Sequence, residues 1–271
     1  MPSDLLVPYK GDHAIQNVTF ALEWGGLLDP SAFLEIRKIH SIADKLPKVS
    51  EQKALTVSLS DGPSGASASP SFDVEGVAFE RFSPHGLLSK SLVVNRQHCI
   101  ITNNEYTRWL KVWPEARELF GMILPTIIQY QPVAAIGLQY TDIFTWRGNN
   151  EDFDLSILFN QESELLPSHI FELKGLWHLH QGYFDEPEMQ SGLEYKTLNN
   201  ININLVDIDG ALAINIVTAQ RLIFIDKVIN YEDWTSKDSV LDTIMSKLHD
   251  VNKVILSKLL TTEIQNKIKL T

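Results

Sequence analysis

The sequence predicts an α+β fold: two similar halves of antiparallel sheet backed by helices, residues 1–131 and 132–271, packed as one compact unit. Three observations predict it. Several runs alternate apolar and polar residues at period two, as Ile201, Ile203 and Leu205 do against Asn202 and Asn204. Two segments instead repeat apolar residues at helical spacing: Trp109, Trp113, Ala116 and Phe120, then Leu241, Ile244, Leu248, Val251, Ile255 and Leu259. The order strand, helix, several strands, long helix occurs twice, which points to an internal duplication with little surviving identity.

In the first half, residues 14–24 (AIQNVTFALEW) read as a strand that Gly25 and Gly26 stop. Asp29 caps a helix with Pro30 at its first position, where a missing N–H costs nothing. Phe33, Ile36, Ile39, His40 and Ala43 keep one face of it apolar, and Pro47 ends it. Residues 53–60 alternate as a strand, whereas 61–71 (DGPSGASASPS) hold no core residue and read as a mobile loop inside the domain. Strands continue at 74–82, 87–95 and 98–102, and 102–129 read as a long helix that Pro125 kinks or shortens.

The second half opens with a strand at 133–146, a turn at 148–150 and a short helix at 152–159. Three long strands follow at 169–184, 193–207 and 211–226. Asp209 and Gly210 join the last two, because both residues tolerate the positive φ of a tight hairpin. Residues 238–260 close the chain as an amphipathic helix, and Thr262 with Gln265 caps one last turn. This doubled order resembles that of the tandem TATA-box-binding-protein-like fold, in which each half is a curved sheet backed by helices.

The net charge of −11 is uneven: residues 132–237 hold 16 acids against 6 Lys/Arg, while 1–131 hold 14 against 12. A negative field of that kind repels phosphate backbones and attracts basic proteins; it also serves as an ordinary solvated surface. The start MPSDLLVPYKGDHAIQ lacks the basic and apolar regions of a secretory signal. The longest apolar stretch, FGMILPTII, falls far short of the roughly 20 residues that span a bilayer, so the expected location is the cytoplasm. A single cysteine, Cys99, excludes an internal disulfide and a cysteine-based zinc site. No phosphate-binding glycine loop and no Gly-x-Ser-x-Gly elbow is present, so no cofactor is expected.

Four constellations could still carry chemistry. His178 and His180 sit two apart on a strand, where both imidazoles reach one side, with Asp185, Glu186 and Glu188 following as oxygen ligands. The alternative puts Trp177 and Leu179 against the core and leaves both histidines in solvent, with the three acids free to meet a partner. His98 and Cys99 are strand neighbours that point apart and cannot easily share a proton. His249 and Asp250 diverge by about 100° on a helix, which makes His249 a helix-face or interface residue. Tyr106, Trp109 and Trp113 share a helical face, which suits helix-to-sheet packing or a stacking platform for bases.

Three stretches resemble one sporadically distributed, uncharacterised prokaryotic family of about 260-residue proteins. They are PYKGDHAIQNVTF from Pro8; VVNRQHCIITNNEYTRWLKVW with IGLQYTDIF, which hold Tyr106, Trp109, Gly137, Tyr140 and Asp142; and KLHDVNKVILSKLLTTEIQNKIK, with Leu248, His249 and Asp250. The family pattern has Arg-Tyr-Ile-Asn where this chain has Gln139-Tyr140-Thr141-Asp142, and Phe where it has Leu256. The resemblance assigns no catalytic residue, and its patchy distribution suits defence, toxin–antitoxin or immunity genes. The expected function is a non-catalytic protein-binding component, an antitoxin, immunity or accessory protein of a prokaryotic defence module. Two alternatives stay open. One is a nucleic-acid-contacting module with a basic groove from Arg96, Arg108, Lys111, Arg117 and the C-terminal lysines. The other is an enzyme with a dispersed site near His178 and His180.

Overall fold

The structure, a computed structural model, describes residues 2–62, 65–190, 192–225, 229, 234 and 239–270. Pro63, Ser64, Asp226 and Asp238, on which expectations fall, lie outside them. Eleven strands form one antiparallel sheet: β1 (Leu6–Pro8), β2 (Ile15–Trp24), β3 (Lys48–Gly62), β4 (Gly65–Phe82), β5 (Leu88–Asn95) and β6 (His98–Asn103) come from the first half. The second half supplies β7 (Val133–Trp146), β8 (Trp177–Phe184), β9 (Glu188–Gln190), β10 (Leu193–Ile208) and β11 (Ala211–Ile225). Helices α1 (Pro30–Arg37), α2 (His40–Lys45), α3 (Trp109–Tyr130), α4 (Val240–Leu259) and α5 (Thr262–Lys267) complete the described elements. None of them is long and apolar enough to cross a membrane.

The strand order is β3-β4-β5-β6-β2-β7-β11-β10-β8, with β1 beside β7 and β9 beside β10. β2 and β7 form the middle. Moving outward from either one, the next strand is the last of its half (β6 or β11), then the one before it (β5 or β10), then β4 or β8. The halves differ after their first strand, where α1 and α2 in one face three short 3-10 turns in the other.

Alternating residues of the central strands turn toward the helices, and apolar burial is what holds the layers together. One core cluster joins Phe20, Leu22 and Leu138 to Phe33, Trp113, Phe120 and the first half of α4. The other joins Phe144, Ile203 and Ile216 to the second half of α4 and to α5. α4 spans both: Leu241, Ile244 and Leu248 enter the first, and Ile255, Leu256 and Leu259 the second. His249 and Asn252 fall between the two clusters.

Several local expectations are corrected. The first helix breaks at Ile39, so Ile42 and Leu46 become buried and His40 is exposed. The 61–71 segment belongs largely to a hairpin, with Ser60 opposite Ser67 and Asp61 opposite Ala66. Backbone groups complete such a ladder without any apolar anchor, so composition does not reveal it. α3 starts at Trp109 instead of 102, because Asn103 Oδ1 accepts from the Glu105 N–H at 2.8 Å and Arg108 is extended. The helix runs through both Pro114 and Pro125. β8 begins at Trp177, after Gly175 with φ +99°, while His169 lies in a 3-10 turn. The last turn is capped by Thr261, whose Oγ1 accepts from the Ile264 N–H.

Candidate functional site

β8 is an edge strand, and its alternation decides what its histidines can do. Trp177 and Leu179 pack on the second core cluster, while His178 and His180 are exposed beside Asn204 and Asn202. His180 Nδ1–H donates to Asn202 Oδ1. The acids Asp185, Glu186 and Glu188 lie past the other end of the strand, not beside the histidines. Among the described residues, no group of three or more His, Cys, Asp or Glu side chains could share a metal ion.

Asp185 and Glu188 instead line an open groove of about 820 Å³ between α4 and the β8–β10 corner, with Glu186 between them in sequence. Asp185, Glu188, Met189, Asp250 and Val254 line it, and Met189 is 74% exposed. Asp185 accepts from Asn199 Nδ2 at 2.8 Å, and Glu188 pairs with Lys247. On the far side Lys258 pairs with Glu164 at 2.5 Å. Both lysines of the groove are therefore already neutralised. Glu186 and Asp250 stay exposed.

Residues from three distant stretches, 8–20, 93–144 and 247–269, converge elsewhere, on a cavity of about 160 Å³ on the helical face. His13 reaches it from the turn before β2, Tyr106, Arg108 and Trp109 from the start of α3, and Tyr140 and Asp142 from β7. α4 adds His249, Asn252 and Lys253 at the gap between the core clusters, and Lys269 comes from the C-terminal segment. Asn252 Nδ2 donates to Thr218 Oγ1, which fixes α4 against β11 at this level.

Aromatic packing makes the walls rigid. Trp109 stacks on His249 with ring centres 4.3 Å apart and planes within 4°, and on Trp113 behind it at 5.7 Å. Tyr106 meets His13 and Tyr140 edge-on at 5.6 and 6.0 Å. Burial pushes the His249 imidazole down to about 4, so it is neutral at ordinary pH, and its Nδ1 shares a hydrogen bond with the Tyr140 hydroxyl at 2.9 Å. Asp142 is only 2% exposed, and its Oδ2 has no hydrogen-bond partner. Burial alone pushes its carboxyl up to about 7. The site thus sets a carboxylic acid that keeps its proton to near neutrality beside a small, aromatic-walled space.

Phe20 packs against Trp109 and Trp113 at 6.0 and 5.6 Å, so these aromatics serve helix-to-sheet packing and not an open stacking platform. Arg96, Arg108 and Arg117 each face a carboxylate, Glu75, Asp12 and Asp242. Cys99 is buried, with burial pushing its thiol up, while His98 on the other phase contacts the Asn95 amide at 2.8 Å. Sequence reasoning missed Asp142. Its signal was an acid in core phase in the run Ile136, Leu138, Tyr140, Asp142, Phe144. No family model matches this chain, and no curated protein matches it.

Proposed function

We propose that this chain is a non-catalytic binding protein that holds a basic segment of another protein in the groove between α4 and the β8–β10 corner. One observation carries the reading: exposed apolar side chains, Met189 and Val254, lie there among carboxylates whose neighbouring lysines are already paired. The charge left for a partner is negative. The surrounding residues 132–237, with 16 acids against 6 Lys/Arg, extend that field. Taken with the family resemblance, the role suits an antitoxin, immunity or accessory component of a prokaryotic defence module. We infer a tandem TATA-box-binding-protein-like duplication as its architecture, a reading supported by the last two strands of each half following in the same order outward from β2 and from β7.

The partner is to be recovered as the native complex and its association rate measured against salt. Replacing exposed Glu186 and Asp250 by lysine should slow association about tenfold at low salt while leaving the fold intact. A rate that ignores both salt and the double replacement would sink the reading, as would nucleic acid as the sole co-purifying species.

A further inference from the structure

The central cavity is independent of the groove and is built for a different kind of ligand. Among the described residues that line it, Asp142 is the only acid, beside three cations, Arg108, Lys253 and Lys269. Asp12 answers two of these from outside, at 2.8 Å to Arg108 and 3.1 Å to Lys269. The mouth is therefore positive in a chain whose net charge is −11. Inside, Asp142 Oδ2 and His13 Nδ1 are both buried and both lack a hydrogen-bond partner. Burying a polar group without a partner costs free energy, and neither atom repays that cost within the fold.

A ligand must fit about 160 Å³, close to the ~150 Å³ of an apolar cavity that takes benzene. A cation would have to pass three cations to reach an acid that still holds its proton. An anion is drawn by the mouth and finds a hydrogen-bond donor at the inner wall. We propose that this cavity binds a small organic monocarboxylate, whose carboxylate hydrogen-bonds to the Asp142 carboxyl within the field of Arg108, Lys253 and Lys269.

Binding of this kind is tied to one proton on Asp142. The groups around that carboxyl are His13 before β2, Tyr106 and Arg108 before α3, Tyr140 on its own strand, His249 and Lys253 on α4, and Lys269. Burial pushes His13 and His249 down and both tyrosines up, so among these four and Asp142 it is Asp142 that changes charge near pH 7. Once it ionises, its own charge repels the ligand.

Trp109, stacked at the cavity wall, gives a fluorescence readout. Propionate and benzoate are titrated at pH 6, 7 and 8, with benzamidine as a cationic control and calorimetry as a second measure. Affinity for a carboxylate should fall about tenfold per pH unit above pH 7. Asp142→Asn keeps a donor and should bind with no such pH dependence, and Lys253→Glu should weaken binding at every pH. If Asp142→Asn fails to fold, the pH series of the parent protein decides. Absence of binding by either carboxylate at any pH would overturn the proposal. So would carboxylate affinity that does not fall above pH 7, or benzamidine binding that tightens as pH rises.

Discussion

At pH 8, Asp142→Asn should be more stable than the parent protein by up to about 4 kcal/mol. The sign follows from where the proton sits. In the fold the carboxyl keeps its proton up to about 7, against an ordinary 3.8 when unfolded. Between those values only the folded chain holds the proton, so this group makes stability fall as pH rises from about 4 to about 7, and level off above. Three pH units at about 1.4 kcal/mol each set the size of the penalty. His249 works the other way: its imidazole lies near 4 when folded and 6.5 when free, so its contribution is present above 6.5 and lost as pH falls. The two slopes oppose each other from pH 4 to 6.5. In Asp142→Asn the opposing slope is gone; His249, with His13 and His98, which burial also pushes down, makes stability rise across that window and then hold. Urea unfolding at pH 5, 6.5 and 8 reads both features. A variant less stable than its parent at pH 8 would mean that the ionised carboxylate is paired in the fold.

Leu248→Asp should leave the protein unfolded or insoluble. Leu248 is fully buried where α4 crosses the first core cluster. Truncating such a leucine costs about 2–5 kcal/mol, and a buried unpaired carboxylate adds several more, which together rival the whole stability of a domain. Val254→Asp on the same helix is the control, because Val254 is 53% exposed and should tolerate the charge. Circular dichroism and solubility separate the two variants. A normally folded Leu248→Asp would show that α4 does not dock on this sheet.

The sheet was legible where apolar residues recur at period two. β7 and the β10–β11 hairpin follow from period two and from Asp209 and Gly210, which do take φ of 54° and 84°. Boundaries failed where a side chain or glycine overrode the local pattern, as Asn103 does before α3 and Gly175 before β8. The hairpin within 61–71 escaped because serine and alanine give no periodic signal to a backbone ladder. The central cavity was illegible for a different reason. His13, Tyr106, Asp142 and His249 are far apart in the chain, each has a bland local reading, and only the fold makes them neighbours.

The most direct measurement is site-specific photo-crosslinking in the native host, with a photoreactive residue at Met189 or Val254 in the groove and at Leu110, 85% exposed on α3, as the control. The groove positions should give one protein adduct that Leu110 does not, and that adduct should fade with Glu186→Lys and Asp250→Lys in place. Adducts of equal yield at Leu110, adducts to nucleic acid, or none at either groove position would contradict the account.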